Sequence, residues 1–149
     1  MDLFDTFIEL LKSRFEKPKV LDVGCGLGNE LRKFEENDLE AIGIDFAFEG
    51  EDIIKADFLE YDFGEEKFEG VFVKYVLHLF PKEDWEKFFD KTKRVLCKKG
   101  LVYFSLKVKD LGEEILRDLE GKGFEVVDKK IGDKEILGKR DFEVILGKR

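Results

Sequence analysis

One stretch constrains this chain more than any other. In Val20-Leu21-Asp22-Val23-Gly24-Cys25-Gly26-Leu27-Gly28-Asn29-Glu30, an apolar run stops at three alternating glycines and passes directly into a helical pattern. The pattern predicts a strand, a tight loop and a helix N-terminus. Glycine tolerates φ > 0 and lets backbone approach a ligand closely, while the first helical turn presents unpaired N–H groups to it. Ala41-Ile42-Gly43-Ile44-Asp45 adds a second apolar strand ending in a carboxylate. At about 20 residues beyond the loop, such an acid is placed to accept hydrogen bonds from both hydroxyls of a ribose. Together the two stretches predict a nucleoside site on an α/β fold.

A chain of 149 residues is enough for one domain with one core and too short for two ordinary ones, so a single domain over residues 1–149 is expected. Sixteen phenylalanines within a hydrophobic content of 43% supply that core. No apolar run approaches the roughly 18 to 20 residues of a membrane span, and no membrane partner is expected. The acidic start, Met1-Asp2-Leu3-Phe4-Asp5, lacks the positive segment of a signal peptide. Two isolated cysteines make neither a disulfide framework nor a metal site, so a reduced, cytoplasmic protein without a metal is expected. A net charge of −8 repels phosphate backbones at long range and disfavours nucleic acid as a partner. Heavy use of Lys and Glu without any glutamine is a composition favoured in thermophiles.

Helical and strand patterns alternate along the chain. Phe4, Phe7, Ile8, Leu11 and Phe15 recur at helical spacing before Pro18, predicting an amphipathic helix over residues 2–16 that packs on the domain or acts as a lid. Strands follow at 19–23, 40–44, 52–56 and 69–74, with a helix between the first two whose buried stripe is Leu27, Leu31 and Phe34. Pro81 opens a helix with Trp85, Phe88, Phe89, Val95 and Leu96 on one face, and Gly100 punctuates its end. A fifth strand at 101–106, a helix at 110–121 and two strands at 124–131 and 141–147 complete the pattern, the last two as a closing hairpin. Strands separated by helices imply a parallel sheet with right-handed crossovers, covered on both faces.

A dinucleotide loop usually runs G-x-G-x-x-G, whereas here the third glycine falls one residue early, at Gly28. That spacing weakens a nicotinamide oxidoreductase reading. Val20 to Gly28 resembles instead the first motif of class I S-adenosylmethionine-dependent methyltransferases, an acid followed by G-x-G-x-G. Further matches follow in order. Asp45 falls where that family places its ribose-binding acid, and Ala56-Asp57-Phe58 is similar to its adenine-contacting segment. Residues 68–81 resemble its strand-four segment, followed by Arg94-Val95-Leu96 and Lys99-Gly100-Leu101. The resemblance covers nearly the whole chain. It implies a Rossmann-like three-layer sandwich with a mostly parallel seven-stranded sheet and an antiparallel C-terminal hairpin. S-adenosyl-L-methionine is the implied cofactor, and methyl transfer to an unidentified acceptor, a small molecule rather than a nucleic acid, the implied function.

The resemblance and the residues together nominate a site. Gly24, Cys25, Gly26 and Gly28 form the loop, Cys25 through its backbone. Asp22 organises the loop or meets the methionyl amine, Asp45 takes the ribose, Phe46 offers a face to adenine, and Asp57 with Phe58 lies on the adenine side. Lys74 and Tyr75 share the carboxyl edge of strand four, where ligands bind in such folds. Tyr75 is expected as an acceptor-site wall or hydroxyl contact. The only histidine, His78, is a candidate base, although one histidine between Leu77 and Leu79 is also the pattern of a packed or capping group. Lys91, Lys93, Arg94, Lys98 and Lys99 could contact a polyanion, but at helical spacing they read as a solvated helix face. Two connections look short. Only Phe46 to Glu51 lie where the family this chain resembles usually has a helix forming one wall of the adenine pocket, and Lys107-Val108-Lys109 leads almost directly into the last helix. A second copy of the chain, a partner subunit or the N-terminal helix is expected to complete the pocket. A non-catalytic methyltransferase-like subunit that binds S-adenosylmethionine or a partner protein is the alternative reading.

Overall fold

In a computed structural model, which describes residues 2–77, 80–109 and 113–149, four helices and seven strands alternate. They run α1 (Leu3–Arg14), β1 (Lys19–Val23), α2 (Asn29–Glu36), β2 (Glu40–Asp45), β3 (Ile53–Lys55) and β4 (Phe68–Lys74). Then come α3 (Lys82–Val95), β5 (Leu96–Val108), α4 (Glu113–Gly121), β6 (Phe124–Ile131) and β7 (Arg140–Lys148). The strands form one sheet in the order β3-β2-β1-β4-β5-β7-β6. The pairs from β3 to β5 are parallel, and β7 runs antiparallel to both neighbours. This is the Rossmann-like sandwich with a terminal antiparallel hairpin that the sequence implied.

Alternation along each strand divides the core in two. Val20, Phe72, Tyr103 and Ile145 face α1 and α2, where they meet Phe7, Leu11, Leu31 and Phe34. Leu21, Val71, Val73, Phe104 and Val144 face the other way, onto Phe88 and Phe89 of α3 and Leu116 and Leu119 of α4. Helix α1 begins where Asp2 accepts a hydrogen bond from the backbone N–H of Asp5, and it ends two residues short of the expected Glu16. Its fully buried Phe7 and Leu11 reach Gly70, at which a Cβ would come within 3.0 Å of Phe7. Thus α1 is a packed layer of the sandwich.

Three local readings are corrected. Leu27 lies before α2 rather than in its stripe and is 69% exposed, because Gly28 in a left-handed conformation is the N-cap and Leu31 is the first buried position. The helix ending at Val95 is not stopped by Gly100. Leu96 already pairs with Phe68, and the register then shifts so that Gly70 faces Leu101. Gly100 serves that irregularity, since a Cβ there would press on the carbonyls of Cys97 and Glu69. Cys97, which a helix running to Gly100 would have included, is therefore a half-buried strand residue. Lys91 departs from the solvated face. It is buried, and its amine donates to the Tyr61 carbonyl while lying over the rings of Phe58 and Phe63.

Candidate functional site

The loop after β1 is shaped by its glycines and pinned by the end of β2. Gly24, Gly26 and Gly28 all have positive φ, which L side chains rarely adopt. A Cβ on Gly24 would come within 2.5 Å of Val76, whereas one on Gly26 would meet nothing within 4 Å. Gly24 thus seats the loop against the segment after β4, and Gly26 leaves its outer side open. Gly24 N–H donates to the Ile44 carbonyl at 2.8 Å, and Gly26 N–H donates to Asp45 Oδ2 at 2.9 Å. The other oxygen of Asp45 accepts from the N–H groups of Ala47 at 2.9 Å and Phe48 at 3.2 Å. Asp45 therefore fastens the glycine loop and its own turn at once. Cys25 is buried with its sulfur over Gly43, where a Cβ would overlap it. Burial, with Asp22 next, pushes its thiol up to about 12, which leaves it an inert filler.

Asp22 is the most unusual group in the molecule. It sits in the middle of the sheet between Gly43 and Phe72, almost fully buried, and among the described residues its Oδ2 has no hydrogen-bond partner. Burial raises its pKa well above the usual carboxylate range, and the charges of Glu30 and Asp45 raise it further, while Lys74 opposes them. Lys74, at the end of β4, pairs with Glu30 in the first turn of α2 at 3.2 Å and so ties the two sides of the loop together.

A cleft of about 450 Å³ opens at the carboxyl ends of β1, β2 and β4, the edge at which open α/β sheets bind ligands. Gly24, Asp45, Phe46, Asp57, Phe58, Lys74 and Tyr75 line it, as do Val23, Ile44, Ala56, Val76 and Phe80. Seven of the nominated residues thus converge. Asp22, Cys25, Gly26 and Gly28 are not among the lining residues, and His78 lies outside the described residues. Phe46 is 78% exposed, and no helix forms between β2 and β3, as the short connection implied. Phe58 turns its ring into the core against Phe63 and Phe88. One oxygen of Asp57 accepts from the Leu59 N–H at 2.9 Å. Tyr75 holds a φ of +54°, a strained value for an aromatic residue. Its N–H is anchored on Ser105 and its ring lies under the Lys107 ammonium. Burial, then the neighbouring Asp141, raises its hydroxyl pKa and keeps it protonated.

Sequence reasoning missed Glu30 as the partner of Lys74 and Lys91 as the support beneath Phe58. An acid in the first turn after a glycine loop signalled the former. Nothing in a lysine run distinguished the latter.

The sequence profile of the methyltransferase-domain family matches residues 2–131. The chain belongs to that family. Among curated proteins none matches it significantly. Solved structures resemble it in fold at low identity. One is the 1,6-didemethyltoxoflavin-N1-methyltransferase of Burkholderia thailandensis with 1,6-didemethyltoxoflavin and S-adenosylhomocysteine bound. It is 19% identical with a TM-score of 0.77, over 96% of this chain and 76% of that one. Another is the N-methyltransferase NodS of Bradyrhizobium japonicum with S-adenosylhomocysteine, 15% identical with a TM-score of 0.75, over 97% and 84% of the two chains. A third, the [4+2]-cyclase SpnF, is 16% identical with a TM-score of 0.73, over 97% and 80%. The methyltransferase fold thus extends to a protein named for a different reaction.

Proposed function

We propose that this chain is an S-adenosylmethionine-dependent methyltransferase acting on a small-molecule acceptor. The observation that carries this reading is the buried Oδ2 of Asp22, unpartnered among the described residues, in the strand that leads two residues later into a glycine loop whose Gly26 side is open. A lone buried carboxylate costs stability unless a cation or donor meets it. The methionyl ammonium of the cofactor is such a partner, so the residues present fit the group. When bound, the cofactor supplies an activated methyl on a sulfonium.

This chain's residues divide the remaining work. Asp45 takes the ribose with limited capacity: its carboxylate offers about four acceptor positions, and three backbone N–H groups already occupy three of them. One further hydroxyl at Oδ2 fits more readily than the two expected from sequence. Phe46 supplies a face for the adenine, Asp57 keeps one oxygen for the adenine amino group, and Phe58 backs that side of the cleft. The loop of Gly24, Cys25, Gly26 and Gly28 follows the methionyl chain, with Lys74 near its carboxylate. Substitution at carbon asks the protein to align the acceptor and exclude water. Tyr75, strained and held protonated at the cleft edge, is the proposed acceptor wall and hydroxyl contact, and His78 the proposed base. Replacing His78 with alanine should then flatten the pH–rate profile near neutrality. Loss of stability with an unchanged profile would assign it to packing instead.

No helix among the described residues is long and apolar enough to cross a membrane. A single cytoplasmic domain, with a second copy or partner subunit over the open acceptor side, completes the proposal. Calorimetric titration with S-adenosylmethionine tests it. We expect micromolar binding that weakens at least about tenfold in Asp22→Asn. No binding by the folded protein would overturn the reading in favour of a non-catalytic methyltransferase-like subunit.

A further inference from the structure

The opposite edge of the sheet, where β4 and β5 begin and β7 ends, carries a second constellation. Lys67, Lys93, Arg94, Lys122 and Lys148 surround a surface concavity of about 660 Å³, and Asp90 is the one carboxylate among its lining residues. This grouping concentrates cations in a chain with 35 acids against 27 bases. Lys122 is paired with Glu86 at 3.2 Å and Asp90 at 3.3 Å. The other four cations have no carboxylate within ion-pair distance among the described residues.

Their amines meet main-chain carbonyls instead. Lys148 Nζ donates to the carbonyls of Lys93 and Leu96, both at 2.8 Å, Lys67 donates to that of Arg94, and Lys93 to that of Lys122 at 2.7 Å. These carbonyls lie at or just beyond the C-terminal ends of α3 and α4, so the lysines satisfy orphan acceptors there. Helix ends do not balance the charge, however. Each contributes roughly half a negative charge, so two helices offset about one of four unpaired cations. Burial lowers the Lys148 pKa, and Lys67 and Lys93 lower it further, which records the mutual repulsion. Each ammonium carries three donors, and none of the three has spent all of them on a carbonyl.

We propose that this concavity is an anion site for a compact, multiply charged phosphate group, separate from the methyl-transfer cleft and independent of that reading. A phosphoanion would neutralise the excess and accept the remaining donors of Lys67, Lys93 and Lys148, with the Arg94 guanidinium at the rim. The shared chemistry is that of free phosphate, pyrophosphate or the phosphate end of a larger molecule.

Thermal melts and calorimetry with pyrophosphate, inorganic phosphate, sodium chloride and single-stranded oligothymidylates of increasing length, all at matched ionic strength, test the site. We expect saturable stabilisation by pyrophosphate, a weaker effect from phosphate and none from chloride. The exposed pair Lys67→Gln and Arg94→Gln should weaken pyrophosphate at least about tenfold while leaving affinity for S-adenosylmethionine unchanged. Should the pair fail to melt cooperatively, Lys67→Glu alone carries the same expectation. An oligonucleotide that binds through its 5′-phosphate alone, without gaining from length, would identify the larger-molecule source. Equal stabilisation by chloride, unchanged pyrophosphate affinity in the variants, or oligonucleotide affinity that grows with length would each overturn a compact phosphate site.

Discussion

Asp22 concentrates the conflict between stability and ligand binding at a single residue. Its folded pKa lies above its unfolded value, so the native state holds the proton more tightly. Stability therefore falls as pH rises from the unfolded value near 4 towards the folded one, so above the unfolded value this carboxyl is a burden on the ligand-free protein. Asp22→Asn should raise the unfolding free energy of the ligand-free protein at pH 7 by about 1–3 kcal/mol. The same change should weaken cofactor binding. Urea titrations at pH 7 and at pH 4 check the sign, because the gain should shrink at the lower value. Asp45 behaves oppositely. Its carboxylate accepts three backbone N–H bonds, so Asp45→Ala should lose stability as well as affinity, each by about 1–3 kcal/mol. Denaturation and calorimetry on the same variant separate the two losses, and an unchanged affinity would remove Asp45 from the ribose site.

Helix α1 shows at the scale of an element why some readings of the sequence succeed. Phe7 is fully buried among Phe34, Phe72 and Tyr103, with ring centroids 6.0 to 6.3 Å away. Phe7→Asp should abolish cooperative melting, and Phe7→Ala should cost about 3–5 kcal/mol by urea denaturation. A mobile lid would tolerate both. The periodicity that placed Phe7 and Leu11 inward is a local property of the chain, as are Asp22 before the glycine loop and the strand-ending acid Asp45, and such features were legible. Leu27, Cys97 and Lys91 were not, because their environments are set by distant partners. A left-handed Gly28 starts α2 after Leu27, and pairing with Phe68 draws residues 96–100 into a strand. The segment from Phe58 to Phe63 covers Lys91. Likewise, the glycine loop was legible as a turn between β1 and α2, yet the orphaned oxygen of Asp22 and the triple use of Asp45 appear only when β1, β2 and β4 lie side by side.

The sheet order places the last strand in the chain inside the sheet, between β5 and β6. β5 therefore lacks its second neighbour until residues 140–148 are in place, and both faces of the sandwich wait on them. Val144 and Leu146 fill the side towards α3 and α4, and Ile145 fills the side towards α1. With Phe142, four buried side chains come from β7. At about 1.5–3 kcal/mol for each, their burial is worth about as much as the whole stability of an ordinary domain. A chain ending at Lys139 should consequently fail to fold, although every residue lining the cleft at the carboxyl ends of β1, β2 and β4 remains in it. Loss of amide dispersion in a proton–nitrogen correlation spectrum, together with loss of S-adenosylmethionine binding, is the expected outcome. A dispersed spectrum with binding retained would mean instead that β1 to β5 and their helices fold as a unit and that the terminal hairpin is added to a finished site.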